Sequence, residues 1–246
     1  MKTTLLAGLF ALTLAATAQA QGLSAAQKDE VRKLIEETIK EKPEVIIQSL
    51  TALREREQAR MLAEQGKNLK DVLPKLLSSD GLTVLGNPKG DVTVVEFFDY
   101  NCGYCKRIVP ILQEILKTDK NVRWVLVDLP ILSEGSKYAA KAALASEKQG
   151  KFFDFHLAML NFKGQLDEAK VLELAKGAKL DVEKLKTDIA SPALEKQLFE
   201  NSNAARAIGV NGTPAFVVGE QFAPGAVGLE ALQELIAKAR KAGKKD

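Results

Sequence analysis

The sequence predicts an α/β fold, and three observations carry this prediction. Residues 92–98 form an almost continuous apolar and β-branched run, which is typical of a strand buried on both faces. A helix with apolar residues at helical spacing follows after a few residues, and a second strand pattern comes next, over residues 122–129. A long helical stretch, a strand pair and a last helix complete an order of elements that is typical of an α/β layer arrangement.

The first twenty residues have the features of a secretory signal peptide. Lys2 provides a positive charge, residues 5–14 form an apolar run, and Ala18, Gln19 and Ala20 form a cleavage site of the small-x-small type. The apolar run is too short for a permanent membrane-spanning helix, although an uncleaved signal anchor is the alternative interpretation. We therefore expect residues 1–20 to be removed and the remaining chain to be exported as a soluble protein.

The composition excludes some functions. The formal net charge is +3 at pH 7, and this near balance does not supply the basic excess that drives nucleic-acid binding. Only two cysteines are present, whereas an exported protein that used disulfides for stability would usually carry more of them, closing longer loops. The two cysteines are therefore candidates for chemistry rather than for structural support.

Residues 21–81 form the first predicted region, which is helical and rich in polar residues. Ser24 and Gln27 fit a capping box, and Pro43 is suited to the first position of a second helix. Pro74 interrupts a third apolar cluster, so a kink or break is expected there. Two or three short amphipathic helices cannot bury their apolar faces alone. They are expected to pack on the following domain or on copies of themselves, as an oligomerisation region.

The remaining elements are predicted from residue 82 onward. A short strand over 82–85 precedes a turn cluster rich in Gly, Pro and Asn, and Pro110 is expected to bend the helix after the long strand. The helices predicted between about 133 and 205 cover 138–147, 152–160, 167–176, 182–189 and 192–205. The second strand pair is predicted at 215–218 and from Gln221, and the last helix over 229–240.

The two cysteines, Cys102 and Cys105, are three residues apart where the long strand gives way to a helix. A cysteine at a helix N-terminus faces unpaired backbone N–H groups and the positive end of the helix dipole, which stabilise a thiolate. The thiolate is the form that attacks a disulfide. We therefore predict that Cys102 is the exposed nucleophile and that Cys105, one turn into the helix, is the buried resolving thiol.

Other interpretations of the cysteines have less support. A zinc site needs four ligands, whereas the chain offers two cysteines and one distant histidine, His156, so that zinc would have to be shared across a dimer. A structural disulfide across so short a loop would add little stability. His156 lies on an aromatic helix face, where a structural role is favoured over a catalytic one.

Two segments resemble the DsbA-like thiol–disulfide oxidoreductases of the thioredoxin superfamily. Residues 97–105, Phe-Phe-Asp-Tyr-Asn-Cys-Gly-Tyr-Cys, are similar to the active-site segment of that family, and residues 211–215, Asn-Gly-Thr-Pro-Ala, are similar to its cis-proline loop. The resemblance implies a thioredoxin fold over residues 82–246 with a helical domain inserted at about 133–205. It also implies a periplasmic location and no cofactor beyond the redox-active cysteine pair.

The resemblance assigns roles to further residues. Glu96 is a lone carboxylate in a buried strand, which is costly, and in this family such a carboxylate lies beneath the active site and helps to move the proton of the buried cysteine; the alternative is an edge strand on which Glu96 faces water. Pro214 is implied to be cis and to pack against the cysteines. Thr213, together with Gly103 and Tyr104, is implied to contact the substrate.

The first predicted region, residues 21–81, resembles that of one particular group of these proteins. Residues 43–47, Pro-Glu-Val-Ile-Ile, precede the catalytic domain in a helical region that is similar to that of the suppressor-of-copper-sensitivity proteins, ScsC. The implied partners are misoxidised or unfolded secreted proteins, a membrane electron donor of the ScsB type, and further copies of the chain, bound through residues 21–81.

The dipeptide between the cysteines bears on the direction of the reaction. Gly103 and Tyr104 carry no cationic group, unlike the Pro-His pair of strongly oxidising DsbA, so the disulfide is expected to be less oxidising. The same dipeptide, together with Thr213 before Pro214, resembles the isomerase DsbC, and we therefore predict a disulfide isomerase or reductase. A monomeric dithiol oxidase is one alternative, and a copper-tolerance protein that binds Cu(I) at Cys102 and Cys105 is the other.

Overall fold

The computed structural model describes residues 22–78 and 81–243. The predicted signal peptide, residues 1–20, lies outside the described residues. Contacts divide the described residues into two units, which meet between residues 59 and 60, whereas the predicted division lies after residue 81. Within the described ranges no helix has the combination of length and apolar character needed to cross a membrane.

The first unit is helical between residues 25 and 59. Helix α1, Ala25–Glu41, begins with the predicted capping box: the Ser24 hydroxyl accepts the N–H of Gln27, and the Gln27 side chain accepts the N–H of Ser24. Helix α2, Glu44–Leu77, begins one residue after Pro43, and its residues up to 59 belong to this unit. None of residues 22–59 is buried, so the apolar side chains of this unit have no core of their own.

The part of α2 that belongs to the second unit does not break at Pro74. The helix continues to Leu77, so the alternative of a break at this proline was wrong, and the alternative of a kink stays a prediction. A proline inside a helix costs about 3 kcal/mol. Leu69 and Leu76 are buried in one cluster with Val95 and Val125 of the sheet, and burying each leucine contributes about 1.5–3 kcal/mol, which is enough to hold the last turn.

A five-stranded mixed sheet forms the centre of the second unit. Its strands are β1 (Thr83–Gly86), β2 (Val92–Phe98), β3 (Val122–Asp128), β4 (Ala215–Val218) and β5 (Gln221–Pro224), in the order β1-β3-β2-β4-β5. Strands β2 and β3 are parallel, and every other pair is antiparallel. Strand β2 therefore lies at the centre of the sheet, with a hydrogen-bonded neighbour on each side.

The helices of this unit agree with the predicted order of elements. They are α3 (Gly103–Thr118), α4 (Glu134–Ser146), α5 (Phe152–Asn161), α6 (Glu168–Gly177), α7 (Val182–Ile189), α8 (Pro192–Ile208) and α9 (Leu229–Ala242), with a short 3₁₀ turn at Glu147–Gln149. Five of them, α4 to α8, lie between β3 and β4 and form a helical insert. The fold is therefore the predicted thioredoxin fold with an inserted helical domain.

The two faces of the sheet have separate cores. Side chains alternate along a strand, and accordingly Val94, Phe98 and Trp124 pack in the larger cluster, which includes both cysteines and residues of α3, α9 and the insert. Val95 and Phe97 point to the opposite face, toward α2 and α8. This alternation places Glu96 on the same face as the cysteines.

Candidate active site

The site begins where β2 ends and α3 starts. Cys102 is the N-cap residue of α3, in extended backbone conformation, and its Sγ accepts the backbone N–H of Cys105 at 3.4 Å. Both cysteines carry free thiols. Cys102 at the helix N-terminus and Cys105 one turn later are therefore arranged as the spacing predicts.

The exposure of Cys102 differs from the prediction. Its exposed fraction is 6 %, against 1 % for Cys105, so the expectation of an exposed nucleophile needs correction. The reason is the loop before β4, which covers it: Cys102 Sγ lies 3.2 Å from the carbonyl oxygen of Thr213. Gly103 and Tyr104, which follow Cys102, are exposed.

The two thiols have opposite electrostatic environments. A hydrogen bond from the Cys105 thiol, helped by bonds from the Thr213 side chain and from backbone N–H groups of α3, outweighs burial and lowers the pKa of Cys102 from 9.0 to about 5. Burial, together with the bond to Cys102, raises the pKa of Cys105 far above its usual range. At neutral pH one thiolate and one thiol therefore share the site, with the thiolate on Cys102.

Glu96 is buried in the central strand below the cysteines. Its exposed fraction is 4 %, and its partners across the sheet are Leu126 of β3 and Phe216 of β4, which rules out the edge-strand alternative. Burial raises the pKa of Glu96 to about 8, although the indole N–H of Trp124 donates to its Oε2 at 2.9 Å and partly offsets the effect of burial. A carboxyl group that titrates near neutral pH can both accept and donate a proton.

The electrostatic influence of Glu96 reaches both cysteines. A charge on Cys102 raises the pKa of Glu96 further, and a charge on Glu96 raises that of Cys105. The three groups therefore titrate as a coupled set.

The loop before β4 completes the site. The peptide bond between Thr213 and Pro214 is cis, as the resemblance implies. Because β4 runs antiparallel to β2, with Ala215 opposite Phe97, Pro214 and Thr213 arrive beside the end of β2 where the cysteines begin. Pro214 is buried and Thr213 is half-buried, so the backbone of Thr213 borders the sulfur of Cys102.

Arg107, on the surface beside Cys102, is a residue that the sequence analysis did not select. Tyr104 is 58 % exposed, and the guanidinium carbon of Arg107 lies 4.2 Å from the centre of its ring. Residues three apart are neighbours on a helix, and arginine over an aromatic ring is a recurrent pair. The i, i+3 spacing of Tyr104 and Arg107 was therefore a usable signal.

Asp99 was also missed. Its carboxylate accepts three backbone N–H groups, from Asn101 at 2.7 Å, Ile131 at 2.9 Å and Leu132 at 3.0 Å. The first of these is a local Asx turn that the sequence could suggest. The other two join the loop after β2 to the loop after β3, and that contact is visible only in the folded chain.

His156 lies in a separate aromatic cluster. Its Nδ1 is 2.8 Å from the hydroxyl of Tyr100, its ring stacks on Phe152, and Phe98 meets it edge-on. Burial lowers the pKa of His156 from 6.5 to about 3, so the imidazole is neutral throughout the physiological range. This environment agrees with the structural role predicted for it.

Metal ligation has little basis beyond the two thiols. In the part of the chain that the structure describes, no three His, Cys, Asp or Glu side chains lie close enough to hold an ion. Cys102 and Cys105 are the residues that would ligate a soft, two-coordinate ion such as Cu(I).

Comparison with known families matches both units. The sequence model of the DsbA-like thioredoxin domain matches residues 93–237, and that of the copper resistance protein ScsC N-terminal domain matches residues 27–60. The first match covers more than half of the chain and includes both cysteines, Glu96 and the cis-proline loop. The second lies almost entirely within residues 22–59.

Two examples illustrate the match to solved structures with the same fold. A thioredoxin-like oxidoreductase from Silicibacter pomeroyi is 44 % identical, with a TM-score of 0.66, over 68 % of this chain and 96 % of that one. A linker-deletion mutant of Proteus mirabilis ScsC is 28 % identical, with a TM-score of 0.68, over 91 % of this chain and 99 % of that one. The second match extends into the N-terminal region.

The curated relatives differ in how much of their own length this chain covers. The Na⁺/H⁺ antiporter NhaA 1 of Salinispora arenicola is 32 % identical over 63 % of this chain, but the chain spans only 24 % of that protein. Disulfide bond formation protein D of Bacillus subtilis is 27 % identical over 71 % of this chain and 83 % of its own length.

Proposed function

The chain belongs to the DsbA-like thioredoxin family, and on that premise we propose that it catalyses thiol–disulfide exchange on exported protein substrates. One observation carries the proposal: Cys102 caps the N-terminus of α3 and accepts the N–H of Cys105, which is itself buried one turn later. The pKa of Cys102 is accordingly lowered to about 5, and that of Cys105 is strongly raised. A nucleophile must be ionised to attack, and a resolving thiol must stay protonated until the first step is complete.

The proposed reaction starts at Cys102. Its thiolate attacks one sulfur of a substrate disulfide, which forms a mixed disulfide and releases the second substrate sulfur as a thiolate that takes up a proton. In reduction, Cys105 then gives its proton to the Glu96 carboxylate and attacks the sulfur of Cys102. The mixed disulfide breaks, a disulfide forms between the two cysteines, and the substrate sulfur that was bound to Cys102 leaves as a thiolate that takes up a proton, so the substrate is released as a dithiol.

Isomerisation follows a shorter cycle. A second thiolate of the substrate attacks the mixed disulfide, a new substrate disulfide forms, and Cys102 leaves as a thiolate. Cys105 is then needed only to release substrates that fail to rearrange. In both cycles the backbone of Thr213 is suited to pair with an extended substrate segment, as in strand addition, while Gly103 and Tyr104 border the segment on the other side.

Isomerisation or reduction is the direction we favour. A Cys102 pKa of about 5 lies between the value of roughly 7 for thioredoxin and roughly 3.5 for the oxidant DsbA. The thiolate is therefore less stabilised than in a strong oxidant, in agreement with the uncharged Gly103–Tyr104 dipeptide. The working form would be the dithiol, kept reduced by a membrane electron donor of the ScsB type in the periplasm.

Dithiol oxidation is the second candidate function, because the same pKa also makes the disulfide more oxidising than that of thioredoxin. A refolding assay separates the two. The reduced protein, incubated with a scrambled-disulfide ribonuclease, should restore ribonuclease activity, and a Cys102→Ser variant should not. Activity that appears only when the oxidised protein meets fully reduced ribonuclease would support the oxidase instead.

Self-association is proposed for the first unit. Its apolar side chains are 40–67 % exposed, in two sets on α1 and α2: Val31, Leu34, Ile35 and Ile39, then Val45, Ile46, Ile47, Leu50 and Leu53. A contiguous apolar helix face of this kind usually has a partner. A second copy of the chain is the partner we favour, since it would also hold several catalytic sites around one substrate.

Copper binding is a further candidate for the same thiols. It is supported by the match of residues 27–60 to a domain named for copper resistance and by the preference of Cu(I) for paired thiolates. In that scheme Cys102 and Cys105 would ligate the ion together, and ligation would compete with exchange.

A further inference from the structure

The residues that flank the cysteine pair both bind one segment of the helical insert. Lys106, directly after Cys105, donates from Nζ to the carbonyl oxygens of Phe162 and Gly164, both at 2.8 Å. Asn101, directly before Cys102, is joined to Leu166 of the same segment. Residues 162–166, which connect α5 to α6, are therefore attached to the start of α3 on both sides of the catalytic pair.

Asn101 makes the more complete attachment. Its Oδ1 accepts the N–H of Leu166 at 2.6 Å, and its Nδ2 donates to the carbonyl oxygen of Leu166 at 3.0 Å and to the Ser133 hydroxyl at 3.1 Å. Its own backbone N–H donates to Asp99. The side chain is 7 % exposed, so both of its polar atoms are satisfied inside the protein, as burial requires.

Asn101 and Cys102 are joined by one peptide bond, so the attachment of Asn101 also restrains the position of the Cys102 sulfur. Leu166 is 2 % exposed and packs in the same cluster as Cys102 and Cys105, so it gives Asn101 a rigid partner. The bond from the N–H of Cys105 to Cys102 Sγ is 3.4 Å long. A small displacement of the loop would therefore remove the Cys102 sulfur from the helix N-terminus.

We propose that Asn101 is a positioning residue, which fixes the loop 99–102 to segment 162–166 of the insert and so holds Cys102 Sγ at the N-cap of α3. The inference rests on the proposed function, in which Cys102 is the nucleophile. Asn101 does not touch the substrate or exchange protons. It acts by keeping the sulfur where the N–H groups of α3 stabilise the thiolate.

An Asn101→Ala variant tests the proposal, with Asn201→Ala as the matched control. Asn201 is also buried and also joins the insert to the sheet, since its Nδ2 donates to the carbonyl oxygen of Asp128 at 3.1 Å, but it does not flank the cysteines. Thiolate absorbance of the reduced full-length protein, titrated with acid, reports Cys102 because Cys105 ionises at far higher pH. Urea unfolding of each variant gives the accompanying loss of stability.

We expect both variants to lose stability and only Asn101→Ala to change the thiolate. Its titration midpoint should rise by about one pH unit, and its reaction with a small aromatic disulfide near pH 5 should slow by roughly fivefold, because less of the thiol is ionised. An unchanged midpoint in Asn101→Ala, or an equal rise in Asn201→Ala, would overturn the positioning role.

A second variant covers the case in which Asn101→Ala does not fold. Ser133→Gly removes one acceptor of Asn101, and glycine is tolerated at a helix N-cap at a cost of a few tenths of a kcal/mol. The midpoint should then rise above that of the wild-type protein, by less than about one pH unit because the two bonds to Leu166 remain, and no rise would contradict the proposal. A wild-type midpoint near that of an ordinary thiol would instead contradict the proposed function itself.

Discussion

Glu96 allows a sharp test at the scale of a single residue. Glu96→Gln retains an oxygen that accepts the Trp124 indole N–H but removes the group that takes the proton of Cys105. The inflection near pH 8 that we expect in the wild-type rate of resolution, from a Glu96 pKa of about 8, should disappear. Resolution should slow by about a hundredfold at neutral pH, so that the mixed disulfide accumulates in a quenched reaction with a disulfide substrate. Unchanged resolution at neutral pH would rule out the proton-relay role.

The residues of the site fall into two groups: those that a short segment of the sequence identifies, and those that are defined by contacts with residues distant in the sequence. Cys102, Cys105, Glu96 and Pro214 could be selected from the sequence because each belongs to a short segment with a family likeness or a local physical anomaly. The partners of Asp99 and Asn101, at residues 131–132, 133 and 166, lie more than thirty positions away. Such contacts depend on how the insert packs on the sheet, and no local sequence pattern predicts them.

At the scale of a secondary-structure element, helix α5 carries the clearest pH dependence. His156 has a folded-state pKa of about 3 against 6.5 when exposed, so the unfolded chain binds the proton more tightly. The stability that the neutral imidazole maintains is complete above pH 6.5 and is lost as the pH falls toward 3. Between pH 6.5 and 5 the loss attributable to His156 should be about 1.6 kcal/mol.

A comparison with His156→Phe isolates that contribution. Phenylalanine keeps the aromatic packing against Phe152 and Phe98, and the buried carboxyl of Glu96, which has the opposite pH dependence, is common to both proteins. Urea unfolding at several pH values should show that the free energy of unfolding of the wild-type protein, minus that of His156→Phe, falls as the pH falls from 6.5 to 5. A constant difference over this range would contradict the predicted depression of the histidine pKa.

Helix α2 shows where element-level prediction was limited. Pro74 is a strong local signal for a break, yet the helix continues for three more residues because Leu69 and Leu76 are buried against the sheet. The strand patterns were more reliable: the predicted strand at 92–98 has the observed bounds, and that at 122–129 ends one residue later than β3. A strand buried on both faces leaves a continuous apolar run, whereas the packing that stabilises a helix end involves distant residues.

At the scale of the whole molecule, the proposed self-association makes a direct prediction. Sedimentation of the chain without residues 1–20 should give the mass of an oligomer, and Leu50→Glu should reduce it toward that of a monomer, because a charge on the apolar face of α2 opposes burial. Gln48→Glu adds the same charge at an exposed polar position of the same helix and should leave the mass unchanged. A monomeric wild-type protein, or an equal effect of both substitutions, would argue against assembly through this unit.

The overall architecture was largely predictable, while the predicted division after residue 81 stays a prediction. The thioredoxin fold with its insert follows from the order of strands and helices together with two family-like segments. The predicted division after residue 81 followed a change in sequence texture, but the compact unit begins at Arg60. The part of α2 that packs on the sheet lies after residue 60. Its amino-acid composition resembles that of the exposed turns before it, so composition does not mark the boundary.

The central claim is that Cys102 alone is the ionised nucleophile, and alkylation of the reduced protein tests it most directly. A short pulse of iodoacetamide at a series of pH values, followed by mass spectrometry of the peptides, should show modification of Cys102 with a midpoint near pH 5 and almost none of Cys105. Equal labelling of the two cysteines, or a Cys102 midpoint close to the ordinary thiol value of about 8.5, would contradict the account.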